Sequence, residues 1–403
     1  MEAGSSTPKK TRWIKAAIFG AGLGLALHMS GNWWNIYRDH VPRCGNENCV
    51  ADFVPIFAQA RMLWEHPTAL YDSDQQLVYQ KRFAPIERAL VSPYPPIAIA
   101  FHAPLALLSI SRGFLLITLL NVALLCGAFR RLIKDFNLSS DQTHWLLLLG
   151  LCNFGILATL ANGQSSIIVL YFLTAHLSAL KQGKEISAGC WVGMLCVKPQ
   201  YLALPHFILL LQRKIPGAIC GMLLALLLTG GAFLLLGMHT FLQYLHVIRV
   251  FSTENSWMNP LEAMHNLKAL AGVWLPAPWN HRVWLSAAAL VLVAVTWINL
   301  CARSLPDGPA ICWFPNTIAL LLLTPHLFTH DLSLLIIPCA LFLRLFKGQV
   351  PTWAGVGAVV IVALPAVNYL LPTIMAATLV TLFVLGLILV RMELARILSR
   401  QRA

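Results

Sequence analysis

The sequence carries little charge. Only 11% of its 403 residues are charged, and just 16 are Asp or Glu, whereas about 25% of the residues in an ordinary soluble domain are charged. A protein that folds in water needs a polar surface, so this scarcity excludes a soluble globular domain. Hydrophobic residues make up 58% of the chain instead. The composition therefore predicts a polytopic membrane protein.

The sequence also lacks the motifs of nucleotide and metal chemistry. It has no Gly-rich phosphate loop, no Walker motif, no haem-binding Cys-x-x-Cys-His and no helix with paired metal-binding histidines. Nucleotide-driven reactions are therefore disfavoured, and neither a cofactor nor a metal ion is predicted.

The net charge of +13 does not indicate a nucleic-acid partner. The basic residues gather in short clusters beside apolar runs, without the interleaved aromatic residues that would stack on bases. Such clusters orient membrane spans and contact anionic lipid headgroups. The predicted partner of these residues is the lipid bilayer.

Apolar runs predict an all-α bundle of about 12 transmembrane helices that forms one integral membrane domain. The predicted order is a basic tail (1–13), a first span (14–31), a long polar loop (32–93), the remaining bundle (94–391) with an outer loop (238–280), and a second basic tail (392–403). The first span lacks the small-residue cleavage pattern of a signal peptide. Because the tails are basic and seven of the 16 acidic residues lie in 32–93, both termini are predicted in the cytoplasm and 32–93 on the opposite side.

Two parts of this arrangement need closer description. Helical periodicity in Phe53–Trp64 and Gln75–Ala89 predicts short interfacial helices within the polar loop. The apolar run 186–212 is either one long span or two half-helices that meet at Lys198-Pro199. The second arrangement makes the run 96–111 re-entrant.

Two of the ten cysteines differ from the others in their surroundings. Eight lie in apolar runs, where they behave as small hydrophobic residues. Cys44 and Cys49 lie in a polar loop around Gly45-Asn46-Glu47-Asn48. On an oxidising face of the membrane, these two are predicted to form a local disulfide, since a zinc site would require further ligands at suitable spacing.

Several polar residues allow both a structural and a functional interpretation. Asp52 precedes an apolar stretch, so it is either a helix N-cap or a catalytic base. Tyr94-Pro95-Pro96 is a typical helix start, and Asn162-Gly163-Gln164 is typical of a tight turn. Asn266 in the second outer loop is a weak signal by itself.

Lys198 and the stretch from His326 to Asp331 are the least easily explained by structure alone. A lysine within an apolar run is costly, so it either snorkels to an interface or binds an anion such as phosphate. His326, His330 and Asp331 lie together at a break between two spans. Three ligands without a supporting cluster make a metal site unfavourable, and hydrogen bonding to a polar substrate is the preferred interpretation.

These pieces, taken in order over residues 50–335, resemble glycosyltransferase family 87, a bacterial group of polyprenol-phosphate-mannose-dependent mannosyltransferases in the GT-C fold superfamily. The pieces are Asp52-Phe53, Leu70-Tyr71-Asp72, Tyr94-Pro95-Pro96 before Ala103-Pro104-Leu105-Ala106, Asn162-Gly163-Gln164-Ser165, Lys198-Pro199-Gln200, and Thr324-Pro325-His326 with His330-Asp331. The late motif departs from the family pattern, which often has Ser before Pro.

The resemblance implies a GT-C-like enzyme in the bacterial inner membrane with its active site on the periplasmic face. It would transfer a sugar, with mannose as the first candidate, from a polyprenyl-phosphate donor to a glycan or glycolipid acceptor. The implied site consists of Asp52 as general base, Lys198 and Gln200 at the donor phosphate, and Tyr94, Asn162, Gln164, Asn266, His326, His330 and Asp331 at the substrate.

A single identified carboxylate base favours an inverting single displacement, because a retaining mechanism needs a second carboxylate at about 5–5.5 Å. Two other functions fit part of the pattern. Broken helices and an intramembrane lysine also occur in secondary transporters and flippases, although no internal repeat is found. A sugar-lipid polymerase or ligase would use a diphosphate donor. The sequence does not separate mannose from arabinose or another pentose.

Overall fold

The computed structural model describes residues 9–29, 52–84, 86–90, 92–253, 260–305, 308–346, 348–367 and 373–402. These residues form helices connected by short turns, and none of them is in a β-strand. The prediction of an all-α protein is confirmed for this part of the chain. Cys44 and Cys49, for which a disulfide is predicted, lie outside the described residues.

The first eleven α-helices run from the N-terminal side to the middle of the chain. They are α1 Lys9–Met29, α2 Phe53–Glu65, α3 Ser73–Lys81, α4 Pro96–His102, α5 Ile110–Asp135, α6 Ser140–Cys152, α7 Phe154–Asn162, α8 Ser166–Lys181, α9 Glu185–Gly193, α10 Ala203–Leu211 and α11 Ile215–Leu236. The remaining helices are α12 Met238–Thr253, α13 Leu267–Trp274, α14 Trp279–Ala302, α15 Gly308–Ile311, α16 Trp313–Leu323, α17 Ile336–Arg344, α18 Thr352–Ala363 and α19 Ile374–Arg402.

Four of the described helices are long and apolar enough to cross a membrane. These are α5, α11, α14 and the Ile374–Arg396 part of α19. A fifth span results if α6 and α7, which meet at an angle of 49°, are counted as one broken helix. A membrane protein is therefore supported, while the total of about 12 spans stays a prediction.

The apolar run 96–111 does not form one continuous helix. Helix α4 has seven residues, which is about 10 Å of helix, and a hydrocarbon core is about 30 Å thick. A 3₁₀ turn at Leu105–Leu107 follows before α5 begins. This segment enters the bundle without spanning it by itself.

The run 186–212 is interrupted at Lys198, as in the second of the two predicted arrangements. Helix α9 continues as a 3₁₀ turn to Val197, a second 3₁₀ turn covers Pro199–Tyr201, and α10 follows. The backbone of Lys198 is extended between the two turns, with φ −133° and ψ 82°. Pro199 explains the break, since proline disfavours a helical conformation in the residue that precedes it.

The two predicted interfacial helices differ in their burial. Helix α2 matches the predicted stretch closely, but Phe53, Val54 and Phe57 are almost inaccessible to solvent, so α2 is packed into the bundle. Helix α3 is shorter than the predicted Gln75–Ala89 and begins at a proper N-cap, where Asp72 Oδ1 accepts hydrogen bonds from Asp74 and Gln75.

The segment that contains α2 and α3 is also held by an ion-pair cluster around Glu65. Glu65 accepts a hydrogen bond from Tyr79 at 2.8 Å and pairs with Arg82 at 3.0 Å. The hydrogen bond from the Tyr79 hydroxyl is the largest cause that lowers the pKa of the Glu65 carboxyl; burial opposes it, and the Arg82 guanidinium lowers the pKa further. The segment therefore stays anchored with Glu65 ionised.

Candidate active site

Asp52 lies immediately before α2, at the N-cap position of that helix. Its side chain makes no capping hydrogen bond, so the structural interpretation explains where Asp52 is but not what its carboxylate does. The side chain is 49% exposed, and Oδ2 lies 4.0 Å from Nδ1 of His330. Asp52 therefore offers an accessible carboxylate beside the late motif, 278 residues further along the chain.

Asp331 is the buried centre of the polar network. Its Oδ1 accepts hydrogen bonds from Lys198 Nζ at 2.8 Å and from Ser166 Oγ at 2.6 Å, and Lys198 also donates to Ser166 Oγ at 2.9 Å. The side chains of Lys198 and Asp331 are only 3% and 2% exposed. Each charge is therefore compensated within the protein, and Lys198 does not snorkel to a surface.

His330 connects the accessible carboxylate to the buried one. Its Nε2 lies 3.5 Å from Asp331 Oδ2, and its Nδ1 faces Asp52. The backbone is held as well, since the His330 carbonyl accepts a hydrogen bond from Thr159 Oγ1 at 3.1 Å. Four titratable groups therefore follow one another from the accessible surface into the protein. They are, in order, Asp52, His330, Asp331 and Lys198.

The 3₁₀ segment Thr329–Leu335, which carries His330 and Asp331, is positioned by close contact with α7. A Cβ atom at Gly155 would clash with the backbone nitrogen of Ser333 and would lie 2.8 Å from the carbonyl oxygen of Thr329. Only glycine allows the segment to approach α7 this closely.

Gly155→Ala is accordingly expected to displace this segment. We expect the variant to remain folded but to lose activity. Overpacking of this kind costs about 1–3 kcal/mol. The control is Gly357→Ala in α18, where an added Cβ meets nothing within 4 Å, so neither activity nor melting temperature should fall. Equal activity of the two variants, measured at matched protein concentration, would show that the close contact does not position the site.

Tyr94 and Gln164 meet beside this network. The Tyr94 hydroxyl donates to Gln164 Oε1 at 2.8 Å, and the Gln164 carbonyl accepts from Asn121 Nδ2 at 3.0 Å. Desolvation, and then the carboxylates of Asp52 and Asp331, raise the pKa of the Tyr94 hydroxyl. Tyr94 therefore remains a protonated hydrogen-bond donor close to both carboxylates.

Asn162 ends α7 in the tight turn that the sequence predicts. Its Nδ2 donates to the carbonyl of Ala158 at 3.0 Å, and Gly163 follows in the left-handed conformation with φ 65°. A Cβ there would lie 3.0 Å from Phe53 and Phe114, so this turn also sets the position of α2.

Asn266 and His326 make a second set of contacts. Asn266 is fully buried and caps α13: its Oδ1 accepts from the Ala269 amide at 2.8 Å, while its Nδ2 donates to the Thr324 carbonyl at 2.7 Å. The His326 ring packs on Phe251 with centroids 4.5 Å apart. In this structure Asn266 connects α13 to the late motif, and its predicted contact with substrate stays a prediction.

Gln200, predicted at the donor phosphate, lies partly exposed in the 3₁₀ turn after Lys198. Two contributors were missed by sequence reasoning: Ser166, which binds both charges of the buried pair, and Thr159, which holds the His330 carbonyl. Ser166 directly follows the Asn162-Gly163-Gln164-Ser165 motif, which was the available signal. Within the described ranges, no group of three or more His, Cys, Asp or Glu residues has the arrangement of a metal site.

The apolar helices and the buried charged network together indicate a membrane protein with a polar site inside its helical bundle. The family model for glycosyltransferase family 87 matches residues 93–325, more than half of the chain. The protein therefore belongs to glycosyltransferase family 87, and it is a membrane glycosyltransferase. No curated protein and no solved structure matches the chain.

The family match decides between the classes of function that the sequence left open. It identifies an enzyme and not a transporter or flippase. The matched range includes Tyr94, Lys198 and Asn266, while Asp52 precedes it and His330 follows it. The roles of those last two residues therefore depend on the geometry described above.

Proposed function

We propose that this glycosyltransferase transfers a sugar from a polyprenyl-phosphate donor to a hydroxyl of a glycan or glycolipid acceptor, with mannose as the first candidate sugar. The reaction would take place at the periplasmic face of a bacterial inner membrane, in a GT-C-like bundle of about 12 spans with both termini in the cytoplasm. The observation that supports this proposal most directly is the line of groups from accessible Asp52 through His330 to buried Asp331.

The proposed reaction is a single inverting displacement. The acceptor oxygen attacks the anomeric carbon while the bond between that carbon and the phosphate oxygen breaks, and the phosphate leaves with the electron pair. The proton of the acceptor hydroxyl passes to Asp52, which acts as general base. His330, whose Nδ1 lies 4.0 Å from Asp52 Oδ2, would orient this carboxylate toward the acceptor hydroxyl.

The second carboxylate in the network does not suit a retaining mechanism. Asp331 is 2% exposed, and its Oδ1 is already bound to Lys198 and Ser166. A nucleophile must reach the anomeric carbon directly, and a carboxylate buried in this way is not accessible to it. We therefore assign Asp331 to positioning His330.

Tyr94, Asn162, Gln164, His326 and Gln200 are proposed to surround the bound substrates. Tyr94 offers a protonated hydroxyl near the reacting carboxylate. Gln200 is partly exposed, and it is proposed to contact the donor phosphate together with Lys198, whose ammonium group has three donors and uses two of them on Asp331 and Ser166.

The test uses the full chain in nanodiscs with synthetic polyprenyl-phosphate donors that carry radiolabelled mannose, arabinose or another pentose. Transfer to an extracted glycolipid or glycan fraction is measured, and the anomeric configuration of the product is determined by NMR. The proposal expects transfer from one donor with inverted configuration. A retained configuration would overturn the mechanism, and exclusive use of a diphosphate donor would overturn the donor class.

The proposed topology is tested by Cys44 and Cys49. If the loop 32–93 faces the periplasm, these cysteines are expected to form a disulfide, because they are close in sequence and are separated by the turn-forming Gly45-Asn46. Mass spectrometry of unreduced peptides from the isolated protein provides the measurement. Two free thiols in protein kept under oxidising conditions would contradict the disulfide.

A further inference from the structure

Two cysteine side chains of neighbouring helices are in direct contact. Sγ of Cys190 in α9 lies 3.4 Å from Sγ of Cys220 in α11, and both residues are free thiols that are partly buried. A disulfide joins its two sulfur atoms at about 2.05 Å, so the thiols lie close to bonding distance. The network around Asp331, described above, uses neither of them.

The backbones of α9 and α11 touch next to this pair of thiols. A Cβ atom at Gly189 would overlap the carbonyl oxygen of Gly217, so the two helices approach this closely only with glycine at that position. An ion pair holds the adjacent helix ends, where Lys214 Nζ donates to Glu185 Oε1 at 2.6 Å. Because the helix backbones are already in contact, a bond between the sulfur atoms needs side-chain rotation and no large movement of either helix.

The helix faces that carry the two thiols are apolar and accessible. Ile186 lies one turn before Cys190 and is 60% exposed, while Leu223 lies one turn after Cys220 and is 61% exposed. Residues three or four positions apart share one face of a helix. Helix α11 is a candidate membrane span, and exposed apolar side chains on such a helix face hydrocarbon. A reagent that reaches the thiols from this side therefore comes from the lipid, which favours uncharged molecules.

The chain between the two cysteines carries the interruption at Lys198. It includes the two 3₁₀ turns on either side of that residue and the whole of α10, and Lys198 Nζ donates to Asp331 at 2.8 Å. A covalent link between the ends of a segment restricts its unfolded conformations and thereby stabilises the folded state. A bond between Cys190 and Cys220 would therefore stabilise the segment that holds Lys198 while leaving the contacts of that lysine in place.

We propose that Cys190 and Cys220 form a reversible redox site, which a membrane-soluble organic hydroperoxide converts to a disulfide that links α9 to α11. One thiol attacks the terminal oxygen of the hydroperoxide, the O–O bond breaks, and a sulfenic acid and an alcohol form. The second thiol then attacks the sulfenic sulfur, the S–S bond forms, and water leaves. The two thiols are oxidised by two electrons and the hydroperoxide is reduced. This site does not depend on which sugar donor the enzyme uses.

The test treats the full chain in nanodiscs with cumene hydroperoxide and maps its peptides by mass spectrometry, before and after reduction with a phosphine. We expect a crosslinked pair of peptides that contain Cys190 and Cys220, lighter by the two thiol hydrogens and separated again by the phosphine. Cys190→Ser should abolish this crosslink. The control Cys126→Ser removes an exposed thiol of α5 and should retain it. Sulfinic or sulfonic acids at both positions of the wild type, without a crosslink, would overturn the proposal.

A charged oxidant, glutathione disulfide, tests the class of reagent that reaches the thiols. At equal concentration it should form the crosslink at least about tenfold more slowly than cumene hydroperoxide, because its charges oppose entry into hydrocarbon. Equal rates with the two oxidants would overturn the assignment to membrane-soluble hydroperoxides.

Thermal unfolding and sugar transfer test the consequence of the bond. The oxidised wild type should melt several degrees higher than the reduced protein, and Cys190→Ser should show no such difference between the two treatments. Sugar transfer by the oxidised protein should equal that of the reduced protein. An unchanged melting temperature, or a loss of transfer that the phosphine reverses, would overturn the disulfide as a link that stabilises the segment and leaves the active site intact. The unfolding measurement needs no substrate, so its outcome is separate from that of the proposed function.

Discussion

Replacing Asp52 with asparagine is expected to lower the rate of sugar transfer by ~10²–10⁴-fold, the usual contribution of a general base. The amide keeps the shape of the side chain but cannot accept the proton of the acceptor hydroxyl. The fold should be unaffected, since Asp52 makes no capping hydrogen bond to α2 and asparagine is as good an N-cap residue as aspartate. The loss should appear in kcat, with the KM values of donor and acceptor little changed.

The matched control is Asp72→Asn, which changes a carboxylate at the N-cap of α3, the helix that follows α2. Asp72 does make capping hydrogen bonds, to the amides of Asp74 and Gln75, and asparagine can replace them. Its activity and stability should therefore match those of wild type. Wild-type turnover in a well-folded Asp52→Asn protein would exclude Asp52 as the base, and His330, 4.0 Å away, would then be the next group to test.

Local signals in the sequence predicted the local structure of the site well. The apolar stretch after Asp52 predicted α2 at nearly its observed bounds. Gly163 in the left-handed conformation realises the predicted turn, and Pro199 marks the interruption at Lys198. Each of these depends on the conformational preferences of one or two residues, which a sequence displays directly.

The partners of the charged residues could not be predicted in the same way. Sequence reasoning recognised that Lys198 needs an anion and proposed a donor phosphate, but it did not identify Asp331, 133 residues away, as the carboxylate that Lys198 contacts in the structure. Nothing in local spacing indicates which carboxylate a lysine meets across a helical bundle. Asn266 shows the same limit, because its hydrogen bond to the Thr324 carbonyl connects two segments 58 residues apart.

The apolar composition of the chain also makes the number of membrane spans hard to predict from the sequence. In a buried bundle, short helices such as α4, broken helices such as α9 with α10, and full spans all appear as apolar runs. Hydropathy measures how apolar a stretch is, whereas crossing the bilayer depends on continuous helix length. The prediction of a membrane protein therefore holds more firmly than the count of its helices.

The second large effect is expected at the buried ion pair. Lys198→Met should destabilise the protein by about 3–5 kcal/mol, because it leaves Asp331 buried without its cation. Asp331→Asn should do the same by leaving Lys198 unpaired. The double variant removes both charges and should be far more stable than the sum of the two losses implies, which a double-mutant cycle of unfolding in mixed micelles measures.

Lys214→Met provides the control for the general effect of removing a lysine from an ion pair. Lys214 pairs with Glu185 at 2.6 Å, but both side chains are about one-third exposed, so its loss should cost at most about 1 kcal/mol. If Lys198 instead acted only on the donor phosphate, Lys198→Met without donor would unfold as easily as Lys214→Met, and the cycle would show no coupling with Asp331. A large coupling together with lost activity in the stable double variant would mean that the pair has two effects: it holds the bundle together, and through Asp331 it fixes His330 beside Asp52.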